Sequence, residues 1–136
     1  MFCLGDYTAD VAIHVEAADL PELLAESARA LGVLLLEGVT TVRVSASRSI
    51  ALEQRDPALL LLDWLTEVLH LMESGQLLCR EFDVAVHDGR LTAEVRGEPF
   101  DAARHRRAHE VKAITYHALS VEPTADDWQG DFVVDV

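Results

Sequence analysis

Residues 82–95 have the sequence FDVAVHDGRLTAEV, in which two strand-like runs flank Asp88-Gly89. Apolar residues alternate with polar or small ones within residues 82–87 and 91–95, as expected for strands with one buried face. Asp-Gly favours a two-residue type I′ turn, because both central residues of that turn need positive φ. The stretch therefore predicts an antiparallel hairpin in the second half of the chain.

Two helices are predicted upstream of this hairpin. Asp19 is a suitable N-cap for the first, Pro21 is tolerated in a first turn, and apolar residues then recur at helical spacing to Leu35. Asp56-Pro57 starts the second helix, which is apolar nearly all round as far as Met72. Because a helix without a polar face belongs in the core, the second helix is expected to be the central buried one.

The remaining segments complete a chain rich in β structure. Strand-like runs cover residues 11–16, 39–52, 114–121 and 132–136, a short polar helix is expected over 101–110, and loops over 97–100 and 123–130. Strands separated by two helices and followed by a run of β structure are typical of an α+β fold. The predicted architecture is a single two-layer domain over residues 1–136, a mostly antiparallel sheet with both long helices packed on one face.

The charge balance is strongly acidic, with 24 Asp and Glu residues against 11 Lys and Arg and a formal net charge of -13. A field of this sign repels phosphate backbones and anionic lipids, so direct nucleic-acid binding and membrane binding are not expected. It suits a cation or a basic protein partner, although solubility alone is an equally good reason for such a surface.

The cysteines and the first residues bear on the cellular compartment. The chain has two cysteines, Cys3 and Cys79, and its first residues lack the basic and apolar regions of a secretory signal. It also lacks an apolar run of the length that crosses a membrane. We therefore expect a cytoplasmic protein with reduced thiols.

Common catalytic signatures do not occur in the sequence, which contains no Gly-rich phosphate loop, Gly-x-Ser-x-Gly elbow, Cys-x-x-Cys pair or His-Glu-x-x-His helix. His105 and His109 would share one face of the predicted polar helix, but the surrounding Arg104, Arg106 and Arg107 disfavour a bound dication. This helix is expected to be solvated or to face a partner. His14, alone on a strand, is expected to be a structural or surface residue.

The two ends of the chain contain the remaining acidic candidates. Asp10 immediately precedes the first predicted strand, Asp135 is next to the last residue, and the α-carboxylate of Val136 adds another negative charge. Three such groups gathered at ~4 Å would repel by about 4 kcal/mol per pair at an effective dielectric constant near 20, and a dication would offset this. Spacing alone leaves open whether these groups meet.

Five segments, in the same order along the chain, resemble the archease family, with Tyr7 standing where that family has His. They are Tyr7-Thr8-Ala9-Asp10-Val11, the helical Asp63-Trp64-Leu65, the Arg96-Gly97-Glu98 segment with Asp101 and Arg104-His105, Glu110-Val111-Lys112-Ala113-Ile114-Thr115-Tyr116-His117, and the terminal Asp135-Val136. Each segment alone is a weak signal, but the five together cover nearly the whole chain and are specific.

The resemblance implies a function, a partner and a metal site. Archeases are non-catalytic accessory factors of the RtcB-type tRNA-splicing ligase, which they help to become guanylylated and to turn over repeatedly, and they can broaden its nucleotide use. The resemblance also implies a divalent metal at Asp10, Asp135 and Val136, with Ca2+ favoured over Mg2+ or Mn2+. The expected partner is therefore a ligase of this type, and the chain itself is not expected to be an enzyme.

A second candidate set is polar and lies in the third and fourth matching segments: Glu98, Asp101, His105, Glu110, Lys112 and His117. These residues either contact the ligase or form an internal salt-bridged network. Two functions of other classes remain open from the sequence. One is a metal-dependent enzyme acting on a small phosphorylated substrate, with Asp10, Asp135 and His117 as ligands or base; the other is a chaperone-like scaffolding module.

Overall fold

The computed structural model describes residues 1–4 and 10–136. In chain order the elements are β1 (Phe2–Leu4), β2 (Asp10–Ala17), α1 (Leu20–Leu35), β3 (Leu36–Glu37), a 3-10 turn (Val39–Thr41), β4 (Ala46–Glu53), α2 (Pro57–Glu73), β5 (Leu78–His87), β6 (Arg90–Glu98), β7 (Arg106–Arg107), β8 (Ala113–Pro123) and β9 (Trp128–Asp135). None of the helices in this part of the chain is both long and apolar enough to cross a membrane.

The strands form three antiparallel sheets, which confirms the predicted α+β class. A four-stranded sheet has the order β1-β2-β9-β8, a three-stranded sheet has the order β4-β6-β5, and β3 pairs with β7. Helix α1 packs on β2 and β5, and α2 packs on β8, β4 and β5. The two helices also contact each other, joined at the fully buried Trp64, whose indole N–H donates to the Leu24 carbonyl at 2.8 Å.

Both helix starts lie where the sequence predicts them. The Asp19 carboxylate accepts a hydrogen bond from the Glu22 N–H at 2.9 Å, and the Asp56 carboxylate accepts from Ala58 at 2.9 Å and Leu59 at 3.3 Å. Each cap of this type stabilises its helix by about 1 kcal/mol. The prediction of an all-round buried α2 is only partly right, because one broad face is buried while Thr66, Glu67 and His70 are exposed.

The hairpin is also confirmed. Asp88 and Gly89 connect β5 to β6 with φ values of 53° and 75°, the signs that a type I′ turn requires. Both strands are longer than predicted, and β6 includes Gly97 and Glu98, which the sequence placed in a loop. A Cβ atom on Gly97 would lie 1.7 Å from the Leu78 carbonyl oxygen, so this close approach of the two strands requires glycine.

The strand predicted over residues 39–52 is confirmed only from Ala46, where β4 begins, and residues 39–45 do not form a strand. Gly38 has a φ of 63°, and the Thr41 N–H and hydroxyl both donate to its carbonyl, which turns the chain before β4 begins at Ala46. Val42 is fully buried but Val44 is 46% exposed, so the apolar alternation here does not mark one buried face.

The polar helix predicted over residues 101–110 does not form. Instead, β7 pairs with β3, and the N–H groups of Ala108 and His109 donate to the carbonyls of Leu35 and Leu34 at the end of α1. Those carbonyls have no partner inside their own helix, so this segment satisfies them. A tertiary contact therefore replaces the local helical hydrogen bonds, and the predicted shared face of His105 and His109 is lost.

Other differences concern strand bounds. The short β1 was not predicted, β9 begins at Trp128 within the expected 123–130 loop, and β8 is interrupted by a bulge after Thr115.

The Arg107 guanidinium caps the C-terminal end of α2. It lies 4.4 Å from the centre of the Phe100 ring and donates to the Met72 and Glu73 carbonyls at 3.2 and 3.3 Å.

Candidate functional site

Asp10 and Asp135 lie directly opposite each other across the antiparallel pair formed by β2 and β9. Their neighbours Val11 and Val134 are buried at 1% and 0% exposure and face the core, so the two aspartates face outward by strand alternation. Directly opposite residues on one face have Cβ atoms about 4.5–5.5 Å apart. The structure therefore brings these two predicted site residues together.

The backbone around this pair is fixed on both sides. Asp135 is also opposite Ala113 of β8, and the Lys112 N–H donates to the Asp135 carbonyl at 2.7 Å. The Val136 side chain packs on the main core, which places its α-carboxylate one residue beyond Asp135. The predicted site residues Asp10, Asp135 and Val136 thus share one end of the four-stranded sheet.

The carboxylates of Asp10 and Asp135 have no hydrogen-bond or ion-pair partner among residues 1–4 and 10–136. Two carboxylates at about 5 Å repel by about 1 kcal/mol in water and about 3 kcal/mol at an effective dielectric constant of 20. No Lys or Arg nitrogen of the described part lies within ion-pair distance of either carboxylate. This arrangement fits a hard dication, which prefers carboxylate oxygens.

The pair alone is an incomplete ligand set. Within the described residues no group of three or more His, Cys, Asp or Glu side chains is arranged to hold a metal ion. A cation at Asp10 and Asp135 would therefore need further oxygen ligands, which the Val136 α-carboxylate, backbone carbonyls or water supply in oxygen-rich sites. Tyr7, Thr8 and Ala9, which belong to the same matching segment as Asp10, lie outside the described residues.

The second candidate set is divided by the structure into three places, the first of which is a network centred on Glu98 at the end of β6. The Glu98 carboxylate is only 7% exposed and accepts hydrogen bonds from the Arg43 N–H at 2.6 Å, from the Arg104 guanidinium and from His105 Nε2 at 3.1 Å. The Asp101 N–H donates to His105 Nδ1 at 2.9 Å, so Nδ1 is the acceptor nitrogen and Nε2 carries the proton. Every group in this network has a partner.

This network changes the acidity of Glu98. The Arg104 guanidinium, the Arg43 N–H and His105 together lower the pKa of Glu98 from 4.5 to about 2, although its burial acts in the opposite direction. Glu98 therefore stays ionised at all physiological pH values. Of the two interpretations that the sequence left open, this geometry favours the internal salt-bridged network for Glu98, Asp101 and His105.

The other three residues of the set lie elsewhere. Glu110 and Lys112 are exposed and line a groove against α2 with His70 and Glu73, beside the strand end that holds Asp135. His117 is exposed in the bulge of β8, where its N–H donates to the Thr115 hydroxyl at 3.2 Å. The six residues therefore do not form one site.

One polar cluster was not predicted from the sequence. The carboxylates of Glu16 and Asp131 accept hydrogen bonds from the His14 ring, Glu16 from Nε2 at 3.1 Å and Asp131 from Nδ1 at 2.8 Å, and they raise the pKa of His14. In register, Cys3, His14, Asp131 and Ser120 form one row across the four strands of the sheet. The only sequence signal for this row is the alternation of β2, because its members come from four separate strands.

The thiols are not paired with each other. Cys3 is exposed on β1, whereas Cys79 is buried beneath α1, and burial raises the pKa of Cys79 to about 12. Cys79 is therefore a protonated core residue at physiological pH.

Comparison with known proteins gives one consistent family. The sequence model described as "Archease protein family (MTH1598/TM1083)" matches residues 2–136. The chain is 36% identical to "Protein archease" of Methanopyrus kandleri, with 96% of each chain covered, and 32% identical to that of Methanosarcina barkeri, with 96% of this chain and 92% of the relative covered.

Two solved structures have the same fold. The solution structure of Methanobacterium thermoautotrophicum protein 1598 matches with a TM-score of 0.86 at 27% identity, covering 99% of this chain and 98% of that one. The crystal structure of a Thermotoga maritima protein, described as an archease and possible chaperone, matches with a TM-score of 0.69 at 19% identity, covering 97% of this chain and 94% of that one.

Proposed function

The chain belongs to the archease family, and from that membership we propose that it is a non-catalytic accessory factor of an RtcB-type tRNA-splicing ligase. In this role it promotes guanylylation and multiple turnover of the ligase and broadens the nucleotides that the ligase accepts. The observation that carries the proposal is the outward-facing Asp10–Asp135 pair, whose carboxylates have no partner among the described residues.

The proposed role of this pair is to hold a divalent metal, with Ca2+ favoured over Mg2+ or Mn2+. Asp10 and Asp135 supply carboxylate oxygens, and the Val136 α-carboxylate supplies the third negative group. A dication bound there would offset the repulsion between the carboxylates and supply positive charge for phosphate groups. The backbone of Asp135 is fixed by pairing with β2 and β8, so metal binding would need to order only its side chain.

The charge of the protein supports a protein partner rather than RNA. A net charge of -13 repels the RNA backbone but favours approach to a basic ligase surface. The ligase, and not this protein, would then hold the RNA ends.

Two alternatives gain less support from the geometry. An enzyme using His117 as a base beside the acidic pair would need that side chain at the pair, but Asp135 lies opposite Ala113 and His117 lies farther along β8, in the bulge. A chaperone-like module would need a continuous exposed apolar patch. The exposed large apolar side chains of the described residues are Met1, Val33, Val44 and Tyr116, which belong to four separate segments.

The test is ligation under multiple-turnover conditions, together with the ligase guanylylation rate, with wild type, Asp10→Asn and Asp135→Asn. We expect each variant to stimulate the ligase at least tenfold less than wild type does, because each removes one metal-binding carboxylate. Asp83→Asn is the matched control, since Asp83 is an exposed aspartate on β5, in the other large sheet. Full stimulation by both folded pair variants would refute the proposal, and turnover of a small phosphorylated substrate without ligase would favour the enzyme.

A further inference from the structure

Strand β8 contains three more residues than its partner strand requires. Thr115 lies opposite Val133 and Ser120 lies opposite Asp131, so five steps along β8 correspond to two steps along β9. On both sides of this interruption the pairing is regular. Tyr116, His117 and Ala118 therefore behave as an insertion into an otherwise continuous edge strand.

Side-chain alternation supports this interpretation. Ile114 is buried and Thr115 lies on the other face, while Leu119 and Val121 pack on the core. If residues 116–118 were absent, Leu119 would follow Thr115 directly, opposite Phe132, and it would face the core as the alternation requires. The three residues are thus not needed to build the strand.

The bulge exposes an aromatic ring. Strand alternation after Ile114 and Thr115 would place Tyr116 on the core face, yet its side chain is 71% exposed. Tyr116 is the only aromatic residue among the exposed large apolar side chains of the described part, and its hydroxyl has no hydrogen-bond partner there. Because the Tyr116 ring is exposed, it adds little to the packing of the core.

The backbone conformation of the bulge is unfavourable. Ala118 has a φ of 55°, in the left-handed region that residues other than Gly, Asn and Asp rarely adopt. The His117 N–H is held by the Thr115 hydroxyl at 3.2 Å, which helps to close the turn. Backbone conformations of this kind persist where surrounding contacts hold them, and they cluster at binding and switch sites.

We propose that the bulge of residues 116–118 is a docking element, in which the Tyr116 ring inserts into a pocket on a basic surface of a protein partner. The inference rests on the proposed function, since the expected partner is the ligase. Charge complementarity sets the chemistry of that surface. The protein carries a net charge of -13, and Tyr116 lies three residues along β8 from Ala113, the residue opposite Asp135. Arg or Lys side chains lining the pocket would contact the ring face, and the net negative charge of the protein would favour their approach.

The bulge also interrupts the edge strand of the sheet, and protection against edge-to-edge aggregation is the competing explanation. The two explanations predict different behaviour for one variant. Edge protection depends on the backbone bulge and is insensitive to the Tyr116 ring, whereas docking depends on the ring.

The experiment measures the Kd of the purified chain for an RtcB-type ligase by titration calorimetry, with wild type, Tyr116→Ala, Tyr116→Phe and a deletion of residues 116–118. We expect Tyr116→Ala and the deletion to raise the Kd at least tenfold, while Tyr116→Phe, which keeps the ring, changes it less than threefold. Thermal unfolding confirms that the variants fold. The deletion is expected to keep or raise Tm, because it removes the strained Ala118.

Val44→Ala is the matched control, because Val44 is also an exposed apolar residue, at 46%, but lies before β4 in a different sheet. It should leave the Kd unchanged. Wild-type affinity of Tyr116→Ala overturns the docking inference, whether or not the deletion folds, and leaves the proposed function intact if the Asp10 and Asp135 variants still lose stimulation. A wild-type chain that neither binds nor stimulates the ligase overturns both.

Discussion

The Asp10–Asp135 pair and the Glu98 network are two acidic sites with opposite surroundings. Glu98 is buried and accepts hydrogen bonds from three groups, so its charge is fully compensated within the protein. Asp10 and Asp135 lie side by side on an outer face, without a partner among the described residues. A compensated carboxylate stabilises the fold, whereas an uncompensated pair is available for a cation. Acidic side chains therefore stabilise the fold in one place and form a candidate functional site in the other.

The largest expected difference between the two acidic sites is the stabilisation of the folded state by bound metal. At a free Ca2+ concentration 100 times the Kd, a site present only in the folded state raises the free energy of unfolding by about 2.7 kcal/mol. We expect this increment for wild type and for Glu98→Gln, but not for Asp10→Asn, in urea unfolding with Ca2+ or with EDTA. An equal increment in Asp10→Asn would place any Ca2+ elsewhere.

The Val136 α-carboxylate is tested in the same measurement. Adding residues after Val136 converts this group to a neutral amide and leaves both aspartates unchanged. We expect the Ca2+ affinity of the extended chain to fall at least tenfold if this group is a ligand. The control is a chain extended before Met1, which precedes β1 and lies beside Glu16 at the other end of β2 from Asp10. Unaltered affinity in the C-terminally extended chain would remove Val136 from the site.

Next in size is the loss of the Glu98 charge. Glu98→Gln leaves the Arg104 guanidinium without its anion and weakens the hydrogen bonds from Arg43 and His105. Hydrogen bonds to charged groups contribute about 1.5–3 kcal/mol, so we expect the free energy of unfolding to fall by about 2 kcal/mol. Urea unfolding at pH 7 measures this, and Glu94→Gln on the exposed face of β6 is the control. A loss as small as that of the control would mean that the network is dispensable.

The pH dependence of the free energy of unfolding should show the ionisation of Glu98. The pKa of Glu98 is about 2 in the folded state, below its usual 4.5, so its contribution is complete above pH 4.5 and is lost as the pH falls from 4.5 towards 2. We expect the stability curves of wild type and Glu98→Gln to converge over this range. A constant difference between them down to pH 2 would contradict the ionic origin of the effect.

The smallest effect concerns the pair without metal. Asp135→Asn removes the repulsion from Asp10, so in EDTA we expect the free energy of unfolding to rise by about 0.5–1 kcal/mol. This sign is opposite to that of Glu98→Gln and therefore tests the comparison directly. A clear destabilisation by Asp135→Asn in EDTA would show that Asp135 has a structural partner.

The sequence predicts features that short-range chemistry determines. Asp19, Asp56 and Asp88-Gly89 act through residues within a few positions of themselves, and both helix starts and the hairpin were predicted correctly. The prediction of a polar helix over residues 101–110 was wrong, because the N–H groups of Ala108 and His109 donate to carbonyls at the end of α1. No local sequence pattern reveals that contact. The bulge was missed since Tyr116 and His117 have the composition of a strand.

The candidate site was only partly predictable. Alternation alone puts Asp10 and Val11 on opposite faces of their strand, but it does not reveal that β9 is the neighbour of β2 or which residue is opposite Asp10. That register is set by the packing of Val11 and Val134 in the core. The resemblance to a family supplied the pairing, and the structure supplied its geometry. Metal binding at the pair stays a prediction.

The position of β9 inside the four-stranded sheet has a consequence for synthesis. This strand is the last of the elements in chain order, yet it separates β2 from β8. Over a hundred residues lie between Asp10 and Asp135, which a ribosome adds in roughly 6 to 25 s at about 5–20 residues per second. During that interval β2 has no inner neighbour, and the two carboxylates come together only after β9 has been synthesised. A chain that ends before β9 would therefore lack the acidic pair, however well its first strands and both helices had folded.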